Sequence, residues 1–131
     1  MKQELIYKDL SYNLNRLLFD THNELGRYCN EKQYGDLFEK KLVENKINYN
    51  REKIIPISFV GERDNRNRAD FIIDKKIIIE FKCKRLFGRD DYYQLRRYLK
   101  AHRMKLGLLV NFRERYLKPK RVLNSEINII N

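Results

Sequence analysis

Between Arg68 and Lys84 the chain sets three charged side chains inside apolar, β-branched runs. Asp70 interrupts Ala69-Asp70-Phe71-Ile72-Ile73, while Glu80 and Lys82 interrupt Ile77-Ile78-Ile79-Glu80-Phe81-Lys82. The runs flank the polar Asp74-Lys75-Lys76, a pattern that reads as a β-hairpin. Successive strand residues point to opposite faces, so Glu80 and Lys82 share a side with Ile78, and Ile79 and Phe81 take the other. Charges on a half-buried sheet surface are costly unless they pair or hold a metal. Loop parity decides whether the three meet. An odd loop at residues 74–76 sets Asp70 across from Glu80, whereas an even one sets it across from Ile79 or Phe81 and disperses the charges. A simple surface ion pair between Glu80 and Lys82 would contribute only about 0–1 kcal/mol. Ile78 on their side argues against a solvated face.

At 131 residues the chain is expected to be one domain, with a core over about residues 7–123 and a loosely held tail over residues 124–131. A hydrophobic fraction of 42%, with 12% aromatic residues, excludes wholesale disorder. The net charge of +11 favours a polyanionic partner, nucleic acid before a membrane. A low-GC genome, with its bias toward Lys, Asn and Ile, would produce part of that charge without any binding role. Cys29 and Cys83 lack metal-ligand spacing, so neither a disulfide scaffold nor a zinc site is expected. There is no apolar run long enough for a membrane span and no leader-like start, which points to a cytoplasmic, reducing setting.

Apolar residues at Tyr7, Leu10, Leu14, Leu17, Leu18 and Thr21 recur every three or four positions and predict a helix from Tyr7 to about Glu24, closed at Leu25-Gly26. A second helix follows from about Asn30 to Asn45, burying Tyr34, Leu37, Phe38 and Leu42. Asn30 would cap it, and Glu31 in its first turn would suit the helix dipole. A functional role for Glu31 stands as the equal alternative. Lys53 to Val60, with Pro56 inside, reads as an edge strand, and Gly61 to Asn67 as a turn. After the hairpin, Leu86 to Arg89 reads as a loop. Asp90 or Asp91 would then cap a helix to about Arg103, with Gln94 and Tyr98 on one face and Leu95 and Leu99 on another. Lys105 to Phe112 is nearly all apolar, as in a central strand buried on both sides. Strand, helix and strand from Ile77 to Phe112 predict a crossover between parallel strands, and Pro119 to Leu123 an edge strand. The pattern is α/β: a single mixed β-sheet flanked by helices.

Two neighbouring carboxylates suit a hard divalent cation such as Mg²⁺, which takes one or two protein carboxylates and fills its octahedron with water and phosphate oxygens. A lysine beside them would orient an attacking water or neutralise charge on a pentavalent phosphorus transition state. That is the chemistry of phosphodiester hydrolysis.

Asp70 followed by Glu80-Phe81-Lys82 also resembles the PD-(D/E)xK nuclease-like superfamily. The stretches Tyr7-Lys8-Asp9-Leu10-Ser11-Tyr12, His22-Asn23-Glu24-Leu25-Gly26, Arg68-Ala69-Asp70, Gln94 to Lys100 and Gly107 to Phe112 extend the likeness from Tyr7 to Leu123 and resemble its GxxExxY family. The resemblance implies a restriction-endonuclease-like core with two N-terminal helices and a nuclease activity using Mg²⁺ or Mn²⁺. It implies Asp70 and Glu80 as metal ligands, joined by Glu31 and the Phe81 carbonyl, Lys82 as the catalytic lysine and Gln94 as a site-lining glutamine. The family's named motif falls on Tyr28 to Tyr34, where Glu31 and Tyr34 match and Tyr28 replaces the leading glycine. Ala69 stands where the superfamily's motif has proline.

From Lys75 to Lys105 there are eleven basic residues against three acidic ones. Lys84, Arg85, Arg89, Arg96 and Arg97 would reach phosphates flanking a scissile bond. Tyr92 and Tyr93 would stack on an unpaired base or, in the reading preferred from sequence, cover helix–sheet packing. A DNA nuclease is the first expectation, and cutting both strands would favour a homodimer. The alternatives are a non-catalytic nucleic-acid-binding protein on the same fold, or an assembly module in which the trio is an ion-pair network.

Overall fold

The computed structural model describes residues 6–57, 59–63 and 67–126. Two helices, α1 (Lys8–Leu25) and α2 (Glu31–Glu44), precede strands β1 (Tyr49–Ile54), β2 (Arg68–Ile73) and β3 (Ile77–Lys82). Helix α3 (Arg89–His102) then leads to β4 (Leu106–Asn111) and β5 (Lys120–Leu123). The strands form one sheet in the order β1-β2-β3-β4-β5. Only β3 and β4 run parallel, joined by α3, and all other neighbours are antiparallel. The expected α/β architecture is what the chain adopts.

The hairpin closes through an odd loop. Ile73 faces Ile77 and Phe71 faces Ile79, so the turn is Asp74-Lys75-Lys76. Asp74 and Lys75 both take left-handed φ, at 50° and 56°. An Asp tolerates that region because its short polar side chain satisfies local backbone groups. One step beyond Phe71 and Ile79, Asp70 comes opposite Glu80.

Alternation along β2 and β3 splits the core. On one face Phe71, Ile73, Ile77, Ile79 and Phe81 pack against Leu14, Leu17 and Leu18 of α1 and Tyr34, Phe38 and Leu42 of α2. On the other, Ile72 and Ile78 pack with Leu109 and Val122 beneath Leu95, Tyr98 and Leu99 of α3. Tyr98 therefore packs with Leu95 and Leu99 and not on a separate face with Gln94. The aromatic centre is tight: Tyr34 stacks on Phe112 at 4.1 Å, and Phe81 meets Phe112 edge-on at 4.7 Å. Gly107 of β4 lies under α3, where an added Cβ would come within 2.9 Å of Leu95 Cγ and Cδ2. Leu95 is fully buried and has no room to yield. Gly107→Ala is expected to cost about 1–3 kcal/mol by overpacking, seen as a lower urea midpoint at unchanged slope.

Some element ends differ from expectation. β1 covers Tyr49–Ile54, not Lys53 to Val60, and Pro56 lies beyond it. As an edge strand pairing only with β2, its residues are mostly exposed, so it shows little apolar alternation to reveal its start. Asn30 caps α2 as expected, through a reciprocal box with Gln33: Gln33 N–H donates to Asn30 Oδ1 at 2.8 Å, and Asn30 N–H to Gln33 Oε1 at 2.9 Å. The N-cap of α3 is Gly88, not Asp90 or Asp91. Asp91 sits three residues inside and accepts the Gly88 N–H at 3.0 Å. Asn124 is buried, with its N–H donating to the Lys105 carbonyl at 2.8 Å. Residues 127–131 of the expected tail, and 64–66 of the expected turn, lie outside the described residues.

Candidate active site

The site begins where β2 and β3 run out of shared backbone hydrogen bonds. There the two carboxylates take over the ladder: Asp70 N–H donates to Glu80 Oε1 at 2.9 Å, and Phe81 N–H donates to Asp70 Oδ2 at 2.7 Å. Each acid thus braces the other's strand. Glu80 is only 4% exposed. Burial, then the Asp70 charge, pushes its carboxyl well above the usual range, while the Asp70 N–H and Lys82 oppose the shift. Asp70 is pushed up to about 6, by burial first; the Phe81 N–H and Lys82 pull it down, Glu31 and Glu52 push it up. With Glu80 buried and Asp70 half-buried beside it, the pair disfavours carrying two negative charges.

A cleft of about 210 Å³ opens beside Asp70, lined also by Glu31, Lys32 and Gly35 of α2, Arg51 and Glu52 of β1, and Phe71 and Phe81. Glu31 lies in the first turn of α2 and lines the cleft. Tyr34 fixes the loop before it, with its hydroxyl donating to the Gly26 carbonyl and accepting from the Cys29 N–H. Tyr28 is exposed, with the guanidinium groups of Arg27 and Arg113 at 5.3 and 5.4 Å from its ring.

Lys82 projects toward α3. Its Nζ donates to Gln94 Oε1 at 3.3 Å and lies 3.8 Å from Asp91 Oδ1. Asp91 is nearly buried and also takes both contacts from Lys84 Nζ, at 2.8 and 2.9 Å. Burial alone would raise the Asp91 carboxyl, but Lys84, the Gly88 N–H and the Lys82 charge outweigh it and hold it below the ordinary value. Lys84 is accordingly engaged by Asp91, whereas Arg85, Arg89, Arg96 and Arg97 are exposed. Among the described residues none of these four arginines makes an ion pair. Asn111, at the end of β4 opposite Lys82, receives the Lys84 N–H at 3.1 Å and donates to the Lys84 carbonyl at 2.6 Å. Burial and the Glu31 charge push the Cys83 thiol up to about 11, which disfavours the nucleophilic thiolate.

Sequence reasoning missed three contributors. Asp91 and Asn111 act across 7 and 27 residues through loop closure, which no local pattern announces. Glu52 sits on β1 between Arg51, which faces Phe71, and Lys53, which faces Ala69, so it is across from Asp70. Its φ of 54° is left-handed in mid-strand, a strained state for a non-glycine residue of the kind that gathers at functional sites. An acid on an exposed strand was its only signal.

The donor set suits a hard cation. Both carboxylates supply oxygen, and the burial and neighbouring negative charge that raise them are what a divalent ion would offset. Among the described residues no three acidic, histidine or cysteine side chains converge closely enough to form a closed cage. Two carboxylates with water and phosphate oxygens are enough for Mg²⁺.

A mixed sheet whose central hairpin carries paired acids, with Glu-x-Lys on its second strand and a crossover helix over the lysine, defines a nuclease-like α/β core. The model of the PD-(D/E)XK nuclease superfamily matches residues 8–122, and the chain belongs to that superfamily. No curated protein and no solved structure matches it. No helix among the described residues is long and apolar enough to cross a membrane.

Proposed function

We propose that the protein is a Mg²⁺- or Mn²⁺-dependent nuclease of the GxxExxY type, hydrolysing phosphodiester bonds in DNA in the cytoplasm. The observation that carries this reading is the Asp70–Glu80 pair, each carboxylate bonded to the other strand's backbone, with Glu80 buried and Lys82 two residues along the same strand. Asp70 and Glu80 would hold the metal, with Glu31 and the Phe81 carbonyl bordering it across the cleft. When bound, the ion supplies Lewis-acid stabilisation of phosphate charge and a nucleophile at neutral pH.

The chain's own groups do the rest. Lys82 presents an ammonium to the phosphate oxygens as they gain charge, in a site where burial strengthens that attraction. Gln94 fixes the direction of that ammonium and orients the attacking water. Asp91 anchors the Lys82 and Lys84 ammonium groups on the α3 side of the site. The exposed arginines steady the flanking phosphates.

Incubation with duplex, single-stranded and branched DNA, in Mg²⁺ or Mn²⁺ against EDTA, tests the proposal. Strand cleavage in the metal arms alone supports it. Tight, steeply salt-dependent binding without cleavage in any arm would replace it with a non-catalytic nucleic-acid-binding role.

A further inference from the structure

Tyr92 and Tyr93 lie near the start of helix α3, outside the buried cluster that Leu95, Tyr98 and Leu99 form with the sheet. They are 39% and 53% exposed, which overturns the packing role preferred from sequence. Their rings lie edge-to-face with centroids 6.3 Å apart. Among the described residues neither ring has a cation stacked on it, in contrast to Tyr28 beside two guanidinium groups.

Helical spacing arranges the surroundings. Arg89 and Arg97 lie four residues either side of Tyr93, and Arg96 lies four beyond Tyr92, so the three arginines and two tyrosines share one exposed arc. Those arginines are exposed and, among the described residues, without an ion-pair partner. Gln94 follows directly on Tyr93 and touches Lys82. The arc therefore borders the proposed cleavage site. Open aromatic faces interleaved with unpaired cations match single-stranded nucleic acid, whose bases stack on the rings while its phosphates meet the charges. A duplex keeps its bases stacked on one another and offers phosphates alone.

We infer that Tyr92 and Tyr93, framed by Arg89, Arg96 and Arg97, form a stacking platform for unpaired nucleotides, so that the substrate is single-stranded or locally opened DNA. This rests on the nucleic-acid reading of the site and specifies the form of the substrate.

Binding in EDTA, with no cleavage needed, tests it. The probes are a fluorescently labelled 20-nucleotide strand of mixed sequence and the corresponding duplex, with the full chain. Tyr92→Ala and Tyr93→Ala should each weaken single-strand binding roughly tenfold, from the usual worth of a base–aromatic stack, and duplex binding less than twofold. Tyr92→Phe and Tyr93→Phe should restore it, since the ring is kept. Arg96→Ala with Arg97→Ala should instead weaken both probes and flatten the salt dependence. Equal losses on both probes, or unchanged single-strand binding in the alanine variants, would overturn the platform and leave the nuclease reading standing. Failure of the wild type to bind either probe would overturn both.

Discussion

Replacing Asp70 by Asn should abolish metal-dependent cleavage, by at least about a thousandfold, and yet make the metal-free protein more stable at neutral pH. The loss follows from removing one of two carboxylates that would hold the ion. The gain follows from burial and from the Glu31 and Glu52 charges, which lift the Asp70 carboxyl from 3.8 to about 6 despite Lys82 nearby. A carboxyl raised on folding contributes stability that is fully present below pH 3.8 and is lost as pH rises through about 6. At pH 7.5 the ionised Asp70 therefore costs on the order of 2–3 kcal/mol. Asn keeps an oxygen for the Phe81 N–H and carries no charge to bury. Urea unfolding in EDTA should show the variant more stable than wild type at pH 7.5, with the difference fading toward pH 4. Added Mg²⁺ should stabilise the wild type and leave the variant unchanged. A variant less stable than wild type at pH 7.5 would mean that the brace Asp70 provides outweighs the cost of its charge, and would contradict this account.

Lys82→Gln should cut cleavage by roughly 10²- to 10⁴-fold, within the range expected for removing one positioned electrostatic or proton-handling group, while metal binding persists. Lys82 Nζ sits within 3.3 Å of Gln94 and 3.8 Å of Asp91 without adding to the carboxylate cage. Its loss removes positive charge from the phosphate's surroundings. It also removes a charge that holds both Asp70 and Glu80 down, so the carboxylates of the variant ionise at higher pH. The acid limb of residual activity should move to higher pH, with the Mg²⁺-induced thermal shift retained at pH 8. Loss of that thermal shift at pH 8 would make Lys82 a support of the metal site, and not part of the chemistry.

The hairpin was legible in the sequence because two simple rules govern it. Side chains alternate along a strand, and a three-residue loop fixes which ones face each other, so Asp70 opposite Glu80 followed from counting. β4 was legible because a strand buried on both faces shows as one apolar run, Leu106 to Val110. β1 was obscured because an exposed edge strand carries Asn50, Glu52 and Lys53 with no apolar face to reveal it, and Pro56 drew attention past its end. The start of α3 was misplaced for a related reason. Asp91 looks like a cap by type, but the loop after β3, pinned by Asn111, carries Gly88 to the cap and turns the Asp91 carboxylate toward Lys84 and Lys82. Only the folded chain shows that contact. Tyr92 and Tyr93 were assigned to packing on the general habit of aromatics, whereas Tyr98 and the leucines on the other arc of α3 already fill that interface.

The central claim is that Asp70 and Glu80 together hold a catalytic cation. A crystal soaked in Mn²⁺ and measured at its absorption edge tests this most directly. The account predicts an anomalous peak within about 2.0–2.6 Å of carboxylate oxygens from both residues, the span of oxygen contacts to such ions. A well-ordered site with no peak between the two carboxylates, or with ions only on outlying acids, would contradict it.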